Sequence, residues 1–141
     1  MSDLRELTTQ ECWDLLGGEE LARVAVDTPL GPRILPVNYS VHGGDLYFRT
    51  KPYSALGTYG RDGELAAEVD CVDRAARQGW SVQVTGRGAM VEDAQELREV
   101  RAGWDPKPWA DGQRYMYIRL RVRDISGRRL AVRGRPSPAA G

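Results

Sequence analysis

One stretch, residues 34–56, constrains the possible folds of this chain more than any other. It reads ILPVNYSVHGGDLYFRTKPYSAL, with apolar and polar residues alternating on both sides of Gly43-Gly44. Alternation is typical of half-buried strands, and a two-residue glycine turn between such strands predicts a hairpin. Ser54 then suits the start of a short helix. A hairpin that runs into a helix places backbone edges and unpaired N–H groups around one pocket, which suits a planar ligand that carries a phosphate.

The rest of the chain also consists of short segments with periodic hydrophobicity, separated by turn residues. Strands are predicted at 21–28, 34–41, 46–50, 65–72, 80–91 and 115–125. Helices are predicted at 8–16, 52–61 and 93–103, each opened by a capping residue: Thr8, Ser54 and Asp93. Short turns and short helices predict a mainly β (α+β) fold, a small antiparallel barrel with helices at its rim.

Several positions carry more specific expectations. Gly86 and Gly88 interrupt a strand, which predicts a bulge, a barrel corner or a close backbone approach. Pro36 cannot donate to a ladder, so either the pairing is open locally or its strand lies at an edge there. In the helix at 52–61, Leu56 and Tyr59 are expected to face inward. The side chains of the last predicted strand alternate between two faces. Those expected to face the core are Met116, Ile118, Leu120 and Val122. Those expected to face away from it are Tyr115, Tyr117, Arg119, Arg121 and Arg123.

The size and charge of the chain indicate its class. A length of 141 residues, with 41% hydrophobic and 28% charged residues, predicts one domain with a full core. We expect that domain to span residues 1–126, and residues 127–141, rich in Arg, Pro, Ala and Gly, to form a disordered basic tail. The remaining body is mildly acidic and lacks the basic face of a nucleic-acid binder.

No hydrophobic segment in the sequence resembles a targeting or membrane-spanning element. The N-terminus is polar and acidic, unlike a signal peptide. No apolar run approaches the roughly 20 residues that span a bilayer. We therefore expect a cytoplasmic protein with neither a nucleic-acid nor a membrane partner.

Candidate catalytic and metal-ligating residues are few. His42 is the only histidine and falls in the predicted hairpin turn, whereas Cys12 and Cys71 lie far apart. Neither a His-activated nucleophile nor a metal site is expected from such a set. No Walker-type loop or GxGxxG motif occurs. The residues therefore favour binding, and no catalytic acid or base can be named.

The strongest candidate for binding lies where the hairpin meets the helix. Arg49 and Thr50 end a strand and Ser54 opens the helix, so a guanidinium, two hydroxyls and backbone N–H groups are lined up. The alternative is that Ser54 only caps its helix and Arg49 pairs with a surface acid. The spacing leaves both interpretations open.

A series of short motifs extends over roughly residues 4–130. In order they are ECWDLL (11–16), PVNY (36–39), FRT (48–50), Ser-x-Leu (54–56), GWSVQVTGRG (79–88), KPW (107–109) and SGRR (126–129). Their order and separations resemble those of the pyridoxamine 5′-phosphate oxidase-like family of flavin-binding split barrels. The resemblance implies a six-stranded antiparallel split β-barrel with short flanking helices. It also implies a homodimer with two sites for flavin mononucleotide (FMN) in the groove between subunits, and a flavin-dependent oxidoreductase activity on an unidentified small-molecule substrate.

The resemblance implies roles for residues on the hairpin. The backbone of Pro36, Val37 and Asn38 would lie along the isoalloxazine ring. Arg49 and Thr50 would hydrogen-bond near the pyrimidine edge of the ring or the ribityl chain.

Further residues are implied for the phosphate end and for closing the site. Ser54 and the amides of Ala55 and Leu56 would face the phosphate. Trp80 and Trp109 would close the site, with the partner subunit as one possible source. Packing in the core or at an interface is the alternative role for each tryptophan.

The chain departs from the family pattern at the phosphate end. Relatives with an FRTxxGxKL-like pattern have a small residue and a lysine where this chain has Tyr53 and Ala55. Losing a charge-assisted contact of about 1.5–3 kcal/mol predicts binding weaker by one to two powers of ten. Two alternatives to FMN therefore stay open. One is a deazaflavin-dependent reductase, and the other is a cofactor-free dimer that uses the face of Tyr115, Tyr117 and residues 119–123 as an interaction surface.

Overall fold

The computed structural model describes the backbone of residues 2–104 and 115–132. Within those ranges the chain forms seven strands and three helices. The strands are β1 (Ser2–Glu6), β2 (Leu21–Thr28), β3 (Gly31–His42), β4 (Asp45–Thr50), β5 (Asp62–Asp73), β6 (Gln78–Met90) and β7 (Met116–Val132). The helices are α1 (Thr9–Gly17), α2 (Ala55–Tyr59) and α3 (Ala94–Ala102).

Six of these strands close on themselves into the predicted antiparallel split barrel. The sheet order is β1-β7-β4-β3-β2-β5-β6, and β6 also pairs with β7, which completes the ring. The 17 residues of β7 make this closure possible, because the start of the strand pairs with β4 while nearly all of it pairs with β6. β1 pairs only with the far end of β7 and was not predicted.

The strand side chains that the sequence pattern directs to the core are buried or partly buried in the structure. Phe48, Ile118 and Leu120 are fully buried inside the barrel, and Met116 is 8% exposed. Val122, also predicted to face the core, is partly buried against it. A second, smaller cluster lies on the outer face beneath α3 and consists of Tyr47, Val91, Val100 and Tyr117.

The turn between β3 and β4 is tight. Gly43 and Gly44 both have positive φ, at 61° and 79°, as the predicted two-residue hairpin requires. β4 pairs with residues 38–42 of β3, while residues 31–37 pair with β2 alone. Pro36 therefore lies on a free strand edge, as expected.

Gly86 and Gly88 mark both a bulge and close backbone approaches. The β6–β7 register shifts between Thr85 and Gly86. A Cβ atom on Gly86 would overlap the carbonyl oxygen of Arg121, and one on Gly88 would overlap that of Gly60. The sequence signal is confirmed, and its cause is the crowding of backbone at the barrel corner.

We expect Gly86→Ala to destabilise the barrel by roughly 1–3 kcal/mol or more, because backbone must move to admit the methyl group. Chemical denaturation measures this loss. Gly17→Ala is the matched control, since a Cβ on Gly17 has no neighbour within 4 Å. Equal stability of the two variants would show that the corner is not close-packed.

Helix α1 begins with the predicted capping box. The Thr8 hydroxyl accepts a hydrogen bond from the Glu11 N–H at 3.1 Å, and the Glu11 carboxylate accepts one from the Thr8 N–H at 3.0 Å. Arg5 donates two more hydrogen bonds to that carboxylate. These contacts, first those of Arg5 and then that of the Thr8 N–H, lower the pKa of Glu11 from 4.5 to about 2.

A pKa that is lower in the folded state gives a stabilisation that is present above pH 4.5 and is lost as the pH falls towards about 2. We therefore expect Glu11→Gln to lower the melting temperature at pH 7. The difference from the unmutated protein should narrow once the pH drops below about 4.5. Thermal melts from pH 7 to pH 3 measure it, and a difference that is constant over this range would contradict the assignment.

Two expectations are corrected by the fold. β7 continues to Val132, past the domain boundary predicted at residue 126, because residues 128–132 pair with β1 and with β6. Residues 133–141 of the predicted tail lie outside the described residues. Tyr59, expected to face inward, is 44% exposed at the end of α2, whereas Leu56 is fully buried as predicted.

Candidate functional site

Arg49 lies at the centre of a row of side chains that crosses three strands. Its register partners are Asn38 on β3 and Tyr117 on β7, so all three side chains share the outer face of the sheet. The Arg49 guanidinium lies over two aromatic rings, with its carbon 4.6 Å from the Tyr115 ring centre and 5.4 Å from that of Trp104. Cation–π contacts of this kind hold an arginine in one orientation.

A groove of about 410 Å³ opens beside Arg49. It lies between the end of α1, the middle of β3 and the end of α3, and its wall includes Leu16, Glu20, Asn38, Tyr39, Arg49 and Trp104. This volume falls within the range of roughly 300–1,000 Å³ typical of small-molecule and cofactor sites. One wall thus presents a planar cation and an aromatic ring, and the other includes the polar residues Glu20 and Asn38.

The floor of the groove is fixed by hydrogen bonds between β3 and the segment after α1. The Tyr39 hydroxyl donates to the Leu16 carbonyl at 2.5 Å, and the Tyr39 N–H donates to the Glu20 carbonyl at 2.9 Å. The Asn38 amide nitrogen donates to the same Glu20 carbonyl at 3.4 Å. Burial, followed by the charge of Glu19, raises the pKa of Tyr39, so its hydroxyl stays protonated as a donor.

The other two residues of the predicted β3 group differ from Asn38. Pro36 is exposed on the free edge of the strand, and Val37 points into the barrel core with 8% exposure. The Val37 side chain is therefore part of the core and does not line the groove. This agrees with the backbone role implied for the segment and leaves that role a prediction.

The predicted phosphate end forms a separate cluster at the start of α2. Thr50 follows Arg49 and points to the opposite face of β4, where its hydroxyl lies 2.6 Å from that of Ser54. The Ser54 hydroxyl also donates to the Lys51 carbonyl at 2.8 Å and accepts from the Gly57 N–H at 2.9 Å. Ser54 therefore caps its helix, which was the alternative interpretation of its role.

The two residues after Ser54 contribute backbone rather than side chain to this end. Ala55 is partly buried against the core, and Leu56 is fully buried in it. Tyr53, beside them, is 97% exposed and covers neither residue.

Trp80 lies far from this region within one chain. It pairs with Arg129 at the far end of β7, whereas Arg49 pairs with Tyr117 near its start. Twelve positions of strand separate these pairs, which is at most about 40 Å along β7. Trp80 lines a different cavity and is not part of the wall of the groove beside Arg49. A contribution of Trp80 from a second subunit stays a prediction. Trp109 lies outside the described residues.

Two aromatic residues of the site were missed from the sequence. Trp104 packs with Leu97 and Val100 against the cluster beneath α3. Tyr115 was assigned to the outward face of β7. The signal that could have identified them is the shared outer face of Arg49 and Tyr117, onto which both rings pack.

The surface proposed for a cofactor-free interaction module is partly covered. Tyr117 is only 6% exposed beneath α3, and Arg119 is paired with Asp45 and Glu96. The expectation of an exposed Tyr117 is wrong, because α3 packs over that end of the sheet. Arg121 and Arg123 remain exposed.

Other classes of site find no support among residues 2–104 and 115–132. No group of three or more His, Cys, Asp or Glu side chains in these ranges could hold a metal ion. No helix in the same part of the chain is long and apolar enough to cross a bilayer.

Comparison with known proteins agrees with this geometry. The family model described as pyridoxamine 5′-phosphate oxidase matches residues 8–129. The FAD-binding protein of Mycobacterium smegmatis is 30% identical with a TM-score of 0.77, and the match covers 89% of this chain and 98% of that one. A candidate pyridoxamine 5′-phosphate oxidase from Corynebacterium glutamicum is 28% identical with a TM-score of 0.78, over 92% of this chain and 100% of that one.

A further relative is known from its sequence. The uncharacterised protein Rv0080 of Mycobacterium tuberculosis is 27% identical over 135 residues, which cover 92% of this chain and 88% of that protein. The family match extends from the start of α1 to residue 129, near the end of β7, and so covers all or most of every strand of the closed barrel. The chain belongs to the pyridoxamine 5′-phosphate oxidase-like family of split barrels.

Proposed function

We propose that the protein binds FMN in the groove beside Arg49 and serves as a flavin-dependent oxidoreductase. The observation that carries the proposal is the Arg49 guanidinium, held over Trp104 and Tyr115 at the wall of a 410 Å³ groove. Support also comes from the Mycobacterium smegmatis relative, which is an FAD-binding protein at 30% identity.

The residues at the ring end fit a flavin. An isoalloxazine ring is flat, apolar on its faces and rich in hydrogen-bond acceptors at its pyrimidine edge. Trp104 offers a face, Arg49 offers a guanidinium, and β3 lies along the same groove from Asn38 to Val41. The bound flavin would supply the hydride or electron chemistry, while these residues would hold it and exclude water.

The residues at the phosphate end fit less well. Thr50 and Ser54 bring two hydroxyls together, but both already take part in local hydrogen bonds. Ala55 has no charge to offer a phosphate, and the side chain of Lys51 is exposed to solvent. We therefore propose that affinity for FMN comes mainly from the ring end.

The absorption spectrum of the purified protein tests this function. Bound flavin gives a band near about 450 nm, and titration with FMN, FAD and a deazaflavin then ranks the three ligands. Tightest binding of FMN supports the proposal. Preference for the deazaflavin would identify a deazaflavin-dependent reductase, and a colourless protein that binds none of them would favour the interaction module.

We further propose that the functional unit is a homodimer in which Trp80 of one subunit closes the groove of the other. The separation of Trp80 from Arg49 within one chain is the reason, since a second copy could bring them together. In a symmetric dimer each site would then combine Arg49 from one chain with Trp80 from the other.

Mixing two defective variants tests this arrangement. Arg49→Ala and Trp80→Ala should each bind FMN weakly alone. After mixing and subunit exchange, about one site in four would combine both intact residues, so tight binding should return to that fraction. A sedimentation measurement confirms that exchange has occurred. No recovery in exchanged dimers, or a monomer at all concentrations, would overturn the shared site.

A further inference from the structure

Helix α3 carries Trp104 at its end but has little apolar anchoring of its own. Val100 is its only buried side chain, and Leu97 is partly buried. A short helix with so small an apolar face can rotate or shift unless polar contacts fix it. Three contacts supplement this small apolar face: Glu99 lies 3.4 Å from His42, Arg101 lies over the Tyr117 ring, and Glu96 reaches the sheet one turn before Val100. Glu96 is the less exposed of the two carboxylates, with 25% of its side chain exposed against 50% for Glu99.

The Glu96 carboxylate is fixed from beneath by two residues of the sheet. Its Oε2 accepts a hydrogen bond from the Tyr47 hydroxyl at 2.9 Å and one from Arg119 Nη1 at 3.3 Å. Tyr47 and Arg119 are register partners on β4 and β7, so they reach Glu96 from the same face. Burial, followed by the hydrogen bond to Glu96, raises the pKa of Tyr47 to about 12, which keeps its hydroxyl protonated as the donor.

Asp45 in turn fixes Arg119. Its Oδ2 lies 2.8 Å from Arg119 Nε and 2.6 Å from Nη2, while its Oδ1 accepts from the Val122 N–H at 3.1 Å. The Asp45 side chain is 10% exposed, so this pairing is shielded from solvent. With two of its nitrogens committed to Asp45, Arg119 can direct only Nη1 to Glu96.

This chain of contacts ends at the groove. The Trp104 N–H donates to the Arg101 carbonyl at 3.1 Å, which ties Trp104 to the last turn of α3. Its ring meets Tyr117 edge to face at 5.7 Å and supports Arg49 on its own face. Any rotation of α3 would therefore move Trp104 away from Arg49.

We propose that Glu96 is a positioning residue that fixes α3 through Arg119 and Tyr47 and thereby holds Trp104 against Arg49 in the groove. Glu96 lies three residues after Asp93, the cap of α3. In the structure only its backbone N–H serves the cap, bonded to Asp93, and its carboxylate is directed to the sheet. The consequence for FMN rests on the proposed function, whereas the placement of Trp104 does not.

Acrylamide quenching of Trp104 fluorescence tests the placement without any ligand. Glu96→Ala is compared with Gln95→Ala, its exposed neighbour on α3, and each is also made with Trp104→Phe so that the difference isolates Trp104. Quenching of Trp104 should rise in Glu96→Ala and stay unchanged in Gln95→Ala. FMN affinity should fall about tenfold in Glu96→Ala alone, because the displaced Trp104 no longer supports Arg49, and a tenfold fall corresponds to about 1.4 kcal/mol.

A conservative variant completes the test. Glu96→Gln keeps an acceptor for Tyr47 but loses the charge opposite Arg119, so its quenching should lie between those of the unmutated protein and Glu96→Ala. If Glu96→Ala does not fold, Glu96→Gln decides, and quenching equal to that of the unmutated protein overturns the proposal. Failure of the unmutated protein to bind FMN would count against the proposed function only, because the quenching result stands without flavin.

Discussion

Replacing Arg49 with alanine is expected to weaken FMN binding by one to two powers of ten. The variant would lack the hydrogen bond between the guanidinium and FMN, and a hydrogen bond to a charged group contributes roughly 1.5–3 kcal/mol. The guanidinium is already oriented by Trp104 and Tyr115, so little ordering opposes its contact with a ligand. Fluorescence titration of FMN measures the change. The FMN affinity of Arg49→Lys should lie between those of the unmutated protein and Arg49→Ala, because a lysine keeps the charge but loses the planar stacking.

The control for Arg49→Ala is Arg33→Ala. Arg33 is exposed near the start of β3 and is not part of the groove wall. Its removal changes the net charge equally and should leave the affinity unchanged. Equal affinities for Arg49→Ala and the unmutated protein would remove Arg49 from the site.

Ala55→Lys is expected to tighten FMN binding by a similar one to two powers of ten, through a new charge-assisted contact with the phosphate. Position 55 opens α2 beside Ser54, and its side chain is only partly buried, so a lysine stem can leave the core edge for solvent. The gain should shrink as salt is added, because the contact is electrostatic.

Ala55→Met is the matched control, with a side chain of similar length and no charge. It should leave affinity close to that of the unmutated protein at every salt concentration. If methionine tightens FMN binding as much as lysine does, the gain in affinity comes from apolar contact and not from charge. If neither tightens it, the phosphate does not lie at the start of α2.

Most strands and caps could be predicted because their signals are local. The positive φ angles at Gly43 and Gly44 follow from a turn that only glycine adopts at low cost, and Thr8 with Glu11 forms a cap within one helical turn. The β1 strand has no such signal. It forms because β4 pairs only with residues 116–120 of β7, so residues 128–132 have an edge opposite β6 that β1 can pair with, and that partner is distant in sequence.

In the candidate site too, the features with local sequence signals could be predicted and those that depend on distant contacts could not. Arg49 and Ser54 could be identified from adjacent residues, including the capping role of Ser54. The approach of Trp104 and Tyr115 to Arg49 depends on how α3 packs over the sheet, which is settled by Glu96 and Arg119 across 23 positions of sequence. Side-chain contacts between separate elements are not encoded in any one segment.

Equilibrium titration of the purified protein with FMN, followed by the fluorescence of the flavin, tests the central claim most directly. We expect saturable binding by the unmutated protein, unchanged binding by Arg33→Ala and binding weakened by one to two powers of ten in Arg49→Ala. Absence of saturable binding, or identical affinities for the unmutated protein and Arg49→Ala, would contradict a flavin site in the groove beside Arg49.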